Sequence, residues 1–277
     1  MAHESLKGSK LARSLSLTAV ILLAVLSLIP FAWMVLMSFK TLAEVESSRP
    51  LPTVWQPENY GSVFSQIPYG RYYFNSIFVS AWSTLLVVLT SSMAAFAFAR
   101  LKWKGRDLVF QSYLATMMVP GLVTMVPNFA LMVNLRLLDS YLGLILPGAF
   151  SAFGTFLLRQ FMLSIHPSLD ESAKMDGASA WQVFWEVIMP LAKPGLVTLG
   201  IFSFMGSYGA LVWPLIMVKS QSLYTLPIGM LYFDSLYARQ TNVLMAASVM
   251  SVVPLVILFL VGQKFFVKGI MLGAVKG

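Results

Sequence analysis

Cysteine is absent from the 277-residue chain, which excludes disulfide frameworks, thiolate metal sites and cysteine nucleophiles together. Histidine is almost absent. His3 and His166 stand far apart and outside the apolar runs, so no metal cluster is expected and each is read as a solvated loop residue. Charge is the third deficit: Asp, Glu, Lys and Arg make up 11% of the residues, against roughly a quarter in an ordinary soluble domain. No Gly-Lys pair occurs, and a P-loop needs one, so the chain does not hydrolyse nucleotide through that motif.

What fills the space is hydrophobic, at 58% of the chain. Crossing a hydrocarbon core of about 30 Å at about 1.5 Å per residue takes about 20 apolar residues in a helix. Six runs are read as spans: Leu15 to Phe39, Tyr72 to Ala99, Leu108 to Val133, Tyr141 to about Leu158, Leu196 to Val218, and Val243 to about Gln263. The expected fold is therefore all-α, a polytopic membrane protein with six transmembrane helices, and residues 1–277 are read as a single transmembrane domain. Lys7, Lys10 and Arg13 before the first run resemble the start of a signal peptide, but the run is too long for an h-region and no cleavage site follows, so it is read as a retained span.

The net charge of +8 has a topological explanation, so nucleic acid is not an expected partner. Six spans put both termini on one side. Thirteen of the 19 Lys and Arg residues fall in the N-terminus, the turn Arg100 to Arg106, the segment Arg159 to Lys193 and the C-terminus. By the positive-inside rule these segments face the cytoplasm. Within the six spans there is no Asp, Glu, Lys, Arg or His, and ion-coupled pumps need such groups at membrane depth. If the chain transports, a partner must power it. Breakers are plentiful, with Pro120, Pro127, Pro147, Pro214 and Pro254 inside the runs. Kinks of that kind are tolerated where neighbouring helices or a wet cavity satisfy the freed carbonyls.

One cytoplasmic stretch stands apart, Leu169 to Pro190 within residues 164–195, reading LDESAKMDGASAWQVFWEVIMP. Ser168 with Glu171, and Ser179 with Gln182, each match a capping box and predict two short helices meeting near Gly177. Gly177 suits a left-handed C-cap, and Pro190 is expected to end the second helix.

These residues carry a family resemblance. ESAKMDGAS followed by VIMP resembles the EAA loop of ABC importer permeases, with Glu171, Ala173, Gly177 and Pro190 at the pattern's positions and Ser172, Val187 and Met189 as size-conservative departures. PENYGSVF, RYYFNSIFVS, FLLRQFMLSIHPSLDESAKMDGAS and FVKGIMLGAVKG extend the resemblance over nearly the whole chain, to carbohydrate-uptake permeases similar to the maltose and glycerol-phosphate systems. The resemblance is to the second, smaller permease subunit. It implies a binding-protein-dependent importer in the bacterial cytoplasmic (inner) membrane, in which a second permease subunit completes the path. Two ATPase subunits would bind the ATP and Mg, this chain would carry no cofactor, and an extracytoplasmic solute-binding protein would deliver the sugar.

Carried over by position, the resemblance makes residues 164–195 a coupling loop. Glu171 would contact the ATPase and Gly177 would permit the bend. Ala173, Met175, Ala178 and Trp181 would dock, and Asp176 matches the acidic residue before the glycine. The C-terminal tail and the loop Lys219 to Gln240, with Tyr224, Tyr232 and Tyr237, are implied contacts of the ATPase and the binding protein respectively. For the solute path, the polar and aromatic span residues are Asn75, Thr116, Asn128, Ser207, Tyr208 and Trp213, since sugar pockets mix a few polar groups with aromatic faces. Tyr208-Gly209-Ala210 stands where many relatives carry an amide and a carboxylate. Two other classes fit parts of the sequence: a self-contained secondary transporter or channel, and a non-transporting membrane anchor of a cytoplasmic complex.

Overall fold

In the computed structural model, which describes residues 2–47, 49–236 and 240–274, every regular element among the described residues is helical. In chain order these are α1 (Ala2–Ser38), α2 (Leu42–Val45), α3 (Glu58–Gln66), α4 (Tyr69–Arg100), α5 (Arg106–Ala115), α6 (Gly121–Asn134), α7 (Tyr141–Ile145), α8 (Ala152–Ser164), α9 (Ser168–Met175), α10 (Ala180–Gln182), α11 (Met189–Leu191), α12 (Lys193–Tyr208), α13 (Val212–Met217), α14 (Leu226–Leu236) and α15 (Thr241–Ala274). Three stretches are long and apolar enough to cross a bilayer unbroken: Ala12–Ser38, Tyr69–Arg100 and Thr241–Lys264. Three bent pairs bring the number of spans to six if each pair is one crossing.

The bends correct the expected boundaries. The third run is not a straight span from Leu108 to Val133, because Arg106–Met118 and Gly121–Asn134 meet at 98°. Val119 is extended, the conformation a residue before proline prefers, and Pro120 restarts the helix. The fourth runs past Leu158 to Ser164, with a 49° bend ahead of Ser151, whose hydroxyl accepts from the Gly154 N–H and starts α8 afresh. The fifth does not continue to Val218 as one helix. α12 ends at Tyr208 with Gly209 as its cap, and α13 begins only at Val212.

By packing, the chain divides into two compact units, residues 1–68 with 230–252 and residues 69–229 with 253–277. In the first unit a buried amide network ties the end of α1 to α3 and to the start of α15. Asn59 donates to the carbonyls of Ser38 and Lys40, both at 2.9 Å, and Asn242 donates to Asn59 Oδ1 at 3.0 Å. Lys40 is fully buried, its ammonium held by the Arg49 carbonyl and 5.3 Å from the Trp33 ring centre. Beyond it, Glu44 takes hydrogen bonds from the Thr53 side chain, the Thr41 backbone and the Thr53 backbone, which hold its carboxyl down at about 2.

In the second unit α4 is the central rod, packed most extensively on α8 and α12. Its buried positions include Ser76, Ser80, Ser83, Ser91, Ser92 and Ala95, and small side chains let helices approach closely. A Cβ on Gly154 of α8 would stand 2.6 Å from Ser91 Oγ, so the two backbones meet where both residues are small. A polar clip closes the loop before α7. Asp139 accepts from the Lys219 and Ser220 N–H groups at 2.9 Å and from the Ser220 hydroxyl, and the hydroxyl bond above all holds its carboxyl below the usual range.

Candidate functional site

Two features of the second unit bear on function, a helical hairpin over residues 164–195 and a cavity bounded by α4, α6, α12 and the stretch 144–151. The hairpin begins differently from the sequence expectation. Pro167, not Ser168, occupies the N-cap of α9, and no Ser168 to Glu171 box forms. His166 substitutes for it. Its Nδ1 accepts from the Ser168 N–H at 3.2 Å and pairs with the Ser168 hydroxyl at 2.7 Å, so an imidazole satisfies an end group that the proline cannot.

The turn itself is as the sequence predicts. Gly177 has φ +85, Ala178 N–H donates to Ala173 O at 2.9 Å, and Gly177 N–H donates to Lys174 O at 3.1 Å. Those two bonds make a Schellman ending, which needs a left-handed residue at the position Gly177 fills. Ser179 then opens the second arm with a complete capping box, its hydroxyl accepting from Gln182 N–H while Gln182 Oε1 accepts from Ser179 N–H. Pro190 does not end this arm. Val183–Ile188 is π-helical, Pro190 lies within the next helical turn, and the chain leaves only at Ala192, bending by 77° into α12. An α-helical register would drive the ring into the carbonyl four residues back. The wider π turn just before it relieves that clash.

The hairpin sorts its side chains by face. Glu171, Asp176, Gly177 and Pro190 are exposed, Met175 is 88% exposed and Trp181 59% exposed. Ala173 and Ala178 turn the other way and pack on a core of Phe96, Leu158, Met162, Val183, Phe184 and Ile188. Phe184, which the sequence reading passed over, links the two faces. Its ring lies 5.5 Å from Trp181, 4.9 Å from Trp185 and 5.2 Å from Phe96 of α4.

A second connection was also missed. Arg100, the last residue of α4, donates through Nη2 to Met162 O at 2.6 Å and Ile165 O at 2.8 Å, and its Nη1 lies 3.5 Å from Asp170 Oδ2. Both side chains are more than nine-tenths buried. Arg159 is anchored nearby, donating to Phe98 O at 3.3 Å with its guanidinium 4.2 Å from the Phe110 ring centre. Two residues counted as loop charges are thus internal fasteners. The only available sequence signal was position, since Arg100 directly follows an apolar run and Asp170 lies one step, or about 100°, around the helix from Glu171.

The cavity encloses about 510 Å³. Its polar side chains are Ser83, Asn128, Ser151, Ser203, Ser207 and the Trp213 indole, with Phe150 and Phe202 among its aromatics and no ionisable side chain among the described residues of its wall. Asn128, Ser207 and Trp213 are therefore brought together as the sequence reading asked, and Trp213 is fixed by its Nε1 donating to Gly143 O at 3.1 Å. The other three candidates lie elsewhere. Asn75 is fully buried and fully used, donating to Ser222 O and Tyr224 O and accepting from the Tyr141 hydroxyl at 2.7 Å. Thr116 donates to Tyr113 O on an exposed turn, and Tyr208 is buried against Phe204. Ala210 lines the cavity and contributes no polar group to that wall. Of the three tyrosines in the segment 219–240, Tyr224 and Tyr232 are described and Tyr237 lies outside the described residues.

Comparison with known proteins converges. Residues 87–271 match the family model for a binding-protein-dependent transport system inner membrane component. The chain is 37% identical to the arabinooligosaccharides transport system permease protein AraQ of Bacillus subtilis, over 82% of this chain and 81% of that one. It is 32% identical to the diacetylchitobiose uptake system permease protein NgcG of Streptomyces coelicolor, over 95% and 89%. A chain from the crystal structure of a bacterial ABC transporter involved in import of the acidic polysaccharide alginate superposes with a TM-score of 0.80 at 27% identity, covering 92% of this chain and 97% of that one.

Proposed function

The chain belongs to the inner membrane components of binding-protein-dependent transport systems, multi-pass permease subunits that are not themselves enzymes, and from that premise we propose how it works and on what. It forms half of the translocation path of an ATP-driven importer for a neutral sugar or oligosaccharide in a bacterial inner membrane. A second permease subunit forms the other half, two ATPase subunits bind the ATP and Mg, and an extracytoplasmic binding protein delivers the solute. Both termini and the hairpin face the cytoplasm, as the distribution of Lys and Arg favours.

The observation that carries this reading is the hairpin. A glycine-capped turn presents Met175 and Trp181, two large apolar side chains, beside the acidic Glu171 and Asp176. Such a knob is costly to leave in water and suits a groove on a partner protein, with the methionine adapting its shape and the aromatic supplying buried area. Ala173 and Ala178 support the knob from behind, Gly177 turns it, and Pro190 lies within the last turn of its second arm. The cavity supports the sugar assignment independently, since serine hydroxyls, an amide and aromatic faces are the groups that bind hydroxylated rings.

The test is reconstitution of this chain with its second permease, the ATPase and the binding protein in proteoliposomes, measuring uptake of labelled oligosaccharides. Uptake should require ATP, and Glu171→Lys should lower both ATPase co-purification and uptake by about tenfold, the scale of a reversed interface charge. Uptake by the permease pair without the ATPase would replace this reading with a secondary transporter. Unchanged uptake in Glu171→Lys and Gly177→Pro would replace it with a membrane anchor.

A further inference from the structure

The buried pair Arg100 and Asp170 has no part in docking or in the cavity, yet it is placed between them. One guanidinium holds three things: the carbonyl of Met162 near the end of α8, the carbonyl of Ile165 at its exit, and the carboxylate of Asp170 in the first turn of α9. Terminal helix carbonyls are orphan acceptors, so a cation there is favoured and fixes the helix end. The pair is also incompletely satisfied. Arg100 Nε and Asp170 Oδ1 are buried without partners, and the charge contact is loose at 3.5 Å. Each partner thus keeps an unused buried polar atom, so the contact is not locked in one fully satisfied geometry.

Behind Arg100 stands α4, 32 residues with no proline, whereas α1 and α15 carry Pro30 and Pro254 and the remaining candidate spans are bent pairs. Seventeen residues up the same helix is Ser83, and both Ser83 and Val87 line the cavity. The separation is about 25 Å at about 1.5 Å per residue, along a helix with no hinge residue in between. We propose that Arg100 and Asp170 form the joint through which a displacement of α9 is passed to α4, and along α4 to the cavity wall. The pair is a positioning device, and the inference rests on the coupling reading given above.

Its signature is separation of ATP hydrolysis from transport, which a merely structural contact would not produce. In the reconstituted complex, Asp170→Asn should retain ATPase co-purification and ATP hydrolysis while solute moved per ATP falls about tenfold, within the range by which residues on a coupling path alter it. Asp170→Glu, which keeps the charge, should restore the ratio to within about twofold of the parent. Arg100→Lys, which cannot serve two carbonyls and a carboxylate with one planar fork, should also lower the ratio without loss of assembly. A parent-like ratio in Asp170→Asn overturns the joint. So does loss of ATPase co-purification in both Asp170→Asn and Arg100→Lys, since the pair would then serve assembly alone. Glu171→Lys measured in parallel tells failure of the coupling reading from failure of the joint: if it too assembles and transports normally, the docking surface itself is wrongly placed.

Discussion

Asn75 shows how residue type alone misleads about role. An amide in an apolar run looks like a solute ligand, and so does Asn128. The two part only through their neighbours. Asn75 spends both ends on Ser222 O, Tyr224 O and the Tyr141 hydroxyl, whereas Asn128 faces the cavity. Asn75→Leu would remove the three hydrogen bonds of a fully buried amide, those to Ser222 O, Tyr224 O and the Tyr141 hydroxyl, with Ser222 O keeping Arg71 Nε at 3.1 Å, and a loss of this kind costs about 1–3 kcal/mol. A fall in melting temperature of the detergent-solubilised chain, with the KM for solute unchanged in the folded fraction, is the expected outcome. A raised KM with an unchanged melting temperature would return Asn75 to the solute path.

At the scale of elements, local chemistry was legible at two of three helix-cap readings, the Ser168 to Glu171 box being the one that does not form. The Ser179 box and the left-handed Gly177 are both formed. Proline was harder to read, because its consequence depends on the turn before it. Pro120 breaks its run by 98°, Pro127 lies inside α6, and Pro190 is accommodated by a π turn. Nothing in the flanking residues separates these three. Close approaches were equally hidden, and they give opposite predictions for one substitution at two glycines. A Cβ at Gly143 would stand 2.2 Å from the Leu137 carbonyl oxygen, a backbone atom that cannot rotate away, while at Gly61 in α3 it meets nothing within 4 Å. Gly143→Ala should therefore destabilise by about 1–3 kcal/mol, the usual cost of overpacking. Gly61→Ala should stabilise by up to about 1 kcal/mol through helix propensity. Thermal melts of the two variants check both signs, and stabilisation of Gly143→Ala would show that α7 yields.

At the scale of the whole molecule, apolar run length was enough to anticipate a helical membrane protein, because burial in lipid constrains composition over some 20 residues at a time. The cavity was legible in part: Asn128, Ser207 and Trp213 were named from residue type, whereas Ser83, Ser151 and Ser203 resemble packing residues in the sequence. Charge is the intermediate case. Of the residues counted toward a cytoplasmic face, Arg100 and Arg159 are fastened inside the second unit, and the orientation argument rests on the remainder. The excess persists without those two, so the orientation proposed is both termini and the hairpin inside. The absence of cysteine makes this directly measurable. Ser65→Cys on α3 and Ser172→Cys on α9 both lie at exposed positions. A membrane-impermeant maleimide added to spheroplasts should label Ser65→Cys at once and Ser172→Cys only after permeabilisation. The reverse order would invert the chain in the membrane and place the hairpin where no ATPase could reach it.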